Sequence, residues 1–160
     1  MHIMDYKDKY IKYKTKYLEL YNKIGGKKMK KRNKGYSKNT STMENKKYSV
    51  SVSEPWFSLI LLGLKTVEGR KNRGLFAQMK DGDIVEWTND SIIPRSVQTR
   101  ITGKAVYPTF REYLETEGLD KCLPGITNMD DGLSIYYKYF TKEEEKEFGV
   151  VAIHLELVEN

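Results

Sequence analysis

The sequence predicts an α+β domain built as a small β-barrel flanked by short helices, with a basic helix and a disordered linker ahead of it. Three observations predict this. From Tyr48 onward, strand-like alternation and helix-like spacing follow one another in the order β-α-β-β-β-α-α-β, which suits a small barrel with helices around it. Residues 27–47, KKMKKRNKGYSKNTSTMENKK, hold almost no apolar side chains, so burial cannot offset the entropy of ordering them. Charge divides at the same place: residues 1–47 carry 15 Lys and Arg against 4 Asp and Glu, a net +11, whereas residues 48–160 carry 13 against 18, a net −5. The expected blocks are therefore a basic Tyr/Lys helix over 1–26, a linker over 27–47 and one folded domain over 48–160, since 160 residues leave no room for two comfortable cores.

In the first block, Tyr6, Tyr10, Tyr13, Tyr17, Leu20 and Ile24 fall at alternating spacings of four and three, with lysines between them. That is a helical stripe, and Gly25 and Gly26 can end it. Tyrosine is a poor coiled-coil core residue because its hydroxyl needs a partner, so the helix is expected to pair with its own copy or with an anionic surface. The linker sequence KKMKKR fits either a nucleic-acid or nuclear-import patch or a plain solvated spacer.

In the domain, YSVSVS alternates like a half-buried strand, and Glu54 and Pro55 then open a short apolar helix, PWFSLILLGL, that Gly63 can end. KTVEGRKN follows, KDGD makes a turn into the strand DIVEWTN, and residues 97–107 read as a further strand with Gly103 as a candidate bulge. TFREYLETEG reads as a helix capped by its threonine and ended by Gly118. A second helix is expected over MDDGLSIYYKYF, and VVAIHLELV closes the domain as a strand with apolar residues along one face.

The composition also excludes several kinds of chemistry. Cys122 is the single cysteine and His2 and His154 are the two histidines, which leaves no disulfide, no cysteine-built zinc site and little material for a histidine metal centre or a Ser-His dyad. No metal and no cofactor are expected. No run of about 20 apolar residues exists to span a bilayer, and charged residues stand where a signal peptide would need an apolar run. An intracellular protein of the cytoplasm or nucleus, or one carried in a virion, is expected rather than a secreted one. The basic half points to phosphate-bearing or acidic partners, because neutralising each phosphate releases counterions.

Gly63, Lys65, Glu68 and Arg70 spell G-x-K-x-x-E-x-R directly after the helix that begins EPWF. If KTVEGR is extended, alternation sends Thr66, Glu68 and Arg70 to one side, and Lys65 must reach round to share a site with Glu68. Arg70 offers a planar fork for phosphate or carboxylate, Lys65 a compact cation and Glu68 an acceptor for base or ribose donors, with Lys71 and Arg73 adding positive charge. The competing reading is a structural Glu68–Arg70 ion pair at the barrel rim. Trp56 and Phe57 can stack on a base or fill the core, and so can Trp87. Tyr136, Tyr137 and Tyr139 can line a cleft or pack a helix face.

The motif, its place after EPWF, the FREYLETEG helix, the LPG at Leu123 to Gly125 and the final EFGVVAIHLEL strand together resemble the ASCH family, whose fold is related to the PUA RNA-binding domain. The resemblance covers about the last two thirds of the chain. It implies binding of RNA, a nucleotide or a nucleoside at the motif, with Gly63, Lys65, Thr66, Glu68, Arg70, Lys71, Arg73 and Trp56 as candidate contacts. Some ASCH proteins are amidohydrolases that deacetylate acetylcytidine with a lysine, a threonine nucleophile and a glutamate; Lys65 matches the first and Glu117 the last, but Glu68 stands where the threonine would be. Hydrolysis would then need Glu68 as a general base on water, with Lys65 or Arg70 at the oxyanion. A ribonuclease would use Lys65 and Arg70 on phosphate with Glu68 or Glu117 as base. The N-terminal KYIKYKTKYLELYNKIGG is similar to segments common among giant DNA virus proteins, which adds a structural, virion-associated role to the alternatives.

Overall fold

The computed structural model describes residues 45–91 and 93–158. The expectations for the basic helix, its self-association and most of the linker lie outside these residues. Five strands form one sheet: β1 (Lys47–Ser51), β2 (Val67–Lys71), β3 (Ile84–Asn89), β4 (Arg95–Tyr107) and β5 (Val150–Leu157), in the order β1-β3-β4-β5-β2. β1 lies parallel to β3 and every other pair is antiparallel. The sheet curls into a half-barrel surrounded by six short helices, so the expected α+β, PUA-like architecture holds.

The helices are α1 (Trp56–Leu61), α2 (Gly74–Gln78), α3 (Phe110–Glu117), α4 (Leu119–Cys122), α5 (Met129–Tyr136) and α6 (Lys142–Phe148). Local chemistry sets their ends as the sequence predicts in two cases. Thr109 Oγ1 accepts from the Glu112 amide and caps α3, and Gly118, at φ 92°, stops it. Gly63, at φ 67°, turns the chain out of α1 in a conformation that costs other residues about 1 kcal/mol. In β4 the pairing register with β5 shifts between Ile101 and Gly103, the bulge expected there.

Two expectations are corrected. The segment MDDGLSIYYKYF is not one helix: α5 ends at Tyr136 and the chain turns before Thr141 starts α6 with a capping box to Glu144. β5 is not apolar on one face only. Val151, Ile153 and Leu155 fill the concave core with Val50, Phe57, Ile60, Val85, Trp87 and Ile101, while Val150 and Ala152 pack on the opposite face under Phe110, Tyr113, Leu114 and Tyr136. A strand covered on both faces reads as a continuous apolar run rather than an alternation.

Candidate functional site

The two free edges of the sheet are β1 and β2, and a pocket of about 340 Å³ opens beside them. Ser51, Val52 and Ser53 line one side, Lys65, Glu68, Gly69 and Arg70 another, and Trp56, Leu123, Ile135, Tyr136, Tyr139 and Phe140 the rest. Apolar and aromatic walls surround a few polar groups, and the volume lies in the range that small ligands occupy.

The motif builds the polar floor through its own backbone path. After the left-handed turn at Gly63, the amides of Leu64 and Lys65 return to Leu59 O, and Lys65 enters the protein at 3% exposure. Its ammonium donates to Val67 O at 2.9 Å and to Cys122 O, and it lies 3.0 Å from Glu68 Oε2. Two carbonyl oxygens and one carboxylate thus surround the ammonium. Arg70 Nε donates to Glu68 Oε1 at 2.7 Å, its guanidinium carbon sits 5.1 Å from the Phe76 ring, and Nε makes its one hydrogen bond among the described residues.

Glu68 is 6% exposed and carries one cation on each oxygen. Burial pushes its carboxyl up, but the charges and hydrogen bonds of Lys65 and Arg70 outweigh that, so the net effect holds it below the usual carboxylate value. It is an ionised acceptor at neutral pH. Both sequence readings of the Glu68–Arg70 pair meet here, since the two side chains are paired and both line the pocket.

Beside this floor, Gly69 is required by a close approach: a Cβ there would stand 2.6 Å from the Tyr113 ring. The Tyr113 hydroxyl in turn donates to Val67 O at 3.5 Å, and Tyr136 O–H lies 3.2 Å from it, which ties the tyrosine layer to the motif strand.

The structure brings together Lys65, Glu68, Arg70 and Trp56, with the Trp56 ring centroid 5.8 Å from the Lys65 ammonium. Gly63, Thr66, Lys71 and Arg73 do not line the pocket. Gly63 is the helix stop, and Thr66 bonds through its backbone to Lys121 O and the Leu155 amide. Lys71 pairs with Glu144 at 2.6 Å, and Arg73 covers the Phe148 ring at 4.9 Å. Glu117 stands in a different cluster, where its carboxylate contacts His154 Nε2 at 2.9 Å and accepts from Tyr107 O–H at 2.7 Å. Burial and that bond push the Tyr107 phenol up to about 12.

The buried Cys122 thiol, pushed up to about 11 chiefly by burial, stays protonated at neutral pH and is no nucleophile. Of the ambiguous aromatics, Phe57 and Trp87 are core, with Trp87 Nε1 donating to Thr99 Oγ1 at 2.8 Å; Trp56, Tyr136 and Tyr139 line the pocket; Tyr137 donates to Glu145. Sequence reading missed Phe140, Ile135 and the Ser51–Ser53 wall as pocket residues, and it missed the His154–Glu117 contact. No local pattern marks any of these, because each depends on which distant elements meet.

Fold and site together define a small half-barrel domain with an ionised carboxylate and an arginine in an aromatic pocket at its open side. The ASCH domain family model matches residues 50–159, and the chain belongs to that family, a PUA-like family of RNA-binding folds. The crystal structure of the hypothetical protein PH0355 is 33% identical, with a TM-score of 0.64 over 70% of this chain and 99% of that one. The solution structure of protein PF0455 from Pyrococcus furiosus is also 33% identical, with a TM-score of 0.60 over 71% and 99%. No curated protein matches the chain. Among the described residues, no helix is long and apolar enough to cross a membrane.

Proposed function

We propose that this ASCH domain binds a nucleobase, free as a nucleoside or nucleotide or carried in single-stranded RNA, in the pocket at Glu68 and Arg70. The observation that carries this reading is the ionised Glu68 carboxylate held by Lys65 and Arg70 at the floor of an aromatic pocket, with Arg70 hydrogen-bonded only through Nε among the described residues. Planar walls stack on a base, and a fixed acceptor and donor read its edge. Binding is favoured over hydrolysis on three counts. Lys65 is 3% exposed and already engaged by two carbonyl oxygens and the Glu68 carboxylate, which sets it poorly for an oxyanion or a phosphate. Glu68 has its pKa lowered, away from the near-neutral value that serves a general base. Neither Thr66 nor Glu117 belongs to the pocket lining. The basic N-terminal segment supplies unspecific affinity for phosphate or tethers the domain to an acidic partner.

The test is calorimetric titration of nucleosides, including acetylcytidine, and of a short single-stranded RNA into wild type and Arg70→Ala, with product monitored by chromatography. Saturable binding weakened by the substitution, without turnover, is the expected result. Turnover of any ligand would make the domain an enzyme. Binding of RNA that ignores the substitution would move the function to the basic segment.

A further inference from the structure

The pocket floor carries more information than affinity for a base. A carboxylate has about four acceptor sites, and the two ion pairs of Glu68 occupy one on each oxygen. Both residues line the pocket, so the lone pairs left on the two oxygens stand beside the Nη groups of Arg70, which is fixed to the same carboxylate through Nε and makes no other hydrogen bond among the described residues. The floor therefore reads acceptor, acceptor, donor in sequence. Resting on the proposed base-binding role, we infer that the pocket selects guanine, whose Watson–Crick edge presents the complementary run of N2–H and N1–H donors followed by the O6 acceptor.

The other bases fail against this floor for definite reasons. Cytosine and adenine place a ring-nitrogen acceptor beside their single amino donor, so a lone pair would face the carboxylate. Uracil offers one N–H between two carbonyl oxygens, which puts an oxygen against Glu68. A site whose buried polar group is left unpaired or opposed rejects such ligands strongly. The charge state matters as well: a neutral Glu68 would present an O–H donor and blur the pattern, and the two flanking cations hold it ionised. Tyr139, 64% exposed on the pocket wall, and Trp56 supply flat surfaces for a purine.

The experiment titrates guanosine, inosine, adenosine, cytidine and uridine into the full-length protein. Neutral nucleosides keep the phosphate affinity of the basic segment out of the measurement. A second arm compares an oligouridine carrying one guanine with plain oligouridine, to separate a guanine taken from free nucleoside from one taken within RNA. Guanosine is expected to bind at least about tenfold more tightly than adenosine, cytidine or uridine, and inosine, which lacks only the 2-amino donor, to fall between. Glu68→Gln should erase the preference. The inosine comparison needs no variant, so it decides the question even where that substitution unfolds the protein; Tyr139→Ala, at an exposed position, should weaken every base alike. Equal affinity for all five nucleosides, or a preference for cytidine or adenosine, would overturn guanine selection and leave base binding intact. Absence of binding by every nucleoside and both oligonucleotides would sink both readings.

Discussion

Lys65 donates to Val67 O and Cys122 O and pairs with Glu68 while nearly fully buried, so at the scale of single residues its work is to hold the carboxylate rather than to meet a ligand. Replacing it with methionine leaves two buried carbonyl oxygens and a buried carboxylate short of a partner. We expect a loss of about 3–5 kcal/mol in urea unfolding, the usual result of breaking a buried ion pair from one side. Glu68 itself makes stability depend on pH. Its folded pKa lies below the ordinary value, so its contribution is fully present above that ordinary carboxylate value, near 4.5, and is lost as pH falls through the lower folded value. Thermal melts of Glu68→Gln against wild type should show a gap that narrows as pH drops from 6 into this range; a constant gap would contradict the ionised buried state. Glu117, outside the pocket, behaves differently: Glu117→Gln should cost about 1 kcal/mol through the altered His154 and Tyr107 contacts and leave nucleoside affinity in place. A loss of binding in that variant would return Glu117 to the site.

At the scale of elements, the motif strand β2 and helix α3 are fitted through one contact, the Tyr113 ring over Gly69. Gly69→Ala forces a methyl into backbone-to-ring space that does not exist, and should lower stability by about 1–3 kcal/mol and weaken ligand binding together, because β2 carries the pocket floor. Helices α3 and α6 are joined by Glu145, 7% exposed, which accepts from the Phe110 amide at 2.6 Å and from Tyr137 O–H. Glu145→Ala should cost about 2–3 kcal/mol by chemical denaturation, more than an exposed helix residue, since it orphans a buried amide and a hydroxyl.

The sequence makes α3 legible through a capping threonine, an apolar face and a terminal glycine. It conceals α6, whose KEEEKEF carries no apolar periodicity and reads as solvated; the one inward carboxylate is identified only by what it meets. The residues after Tyr136 continue a helical spacing although the helix does not; Tyr137 reaches Glu145 and Tyr139 lines the pocket.

Over the whole molecule, the charge is +11 before residue 48 and −5 after it, so under the proposed function phosphate affinity and base affinity fall in different parts of the chain. Removal of the N-terminal segment should stop at Met43, because the Lys46 amide donates to Asp83 Oδ1 at 2.8 Å and β1 begins at Lys47. We expect that deletion to flatten the salt dependence of RNA binding, as phosphate contacts are withdrawn, while nucleoside affinity persists. An unchanged salt slope would place the phosphate contacts in the half-barrel instead.

What the sequence by itself determined was the strand count, the helix ends at Gly63 and Gly118, the bulge at Gly103, the family motif and the charge division, because each is written in residues adjacent along the chain. The tertiary structure alone decided that β5 is covered on both faces, that Lys65 is held by the carbonyls of Val67 and Cys122, that Glu117 sits with His154, and that Phe140 and Ser51 share a pocket with Glu68. Those are facts of proximity between distant segments. Hydrogen-bond partners and burial belong to the packed sheet and helices, and no local spacing encodes them.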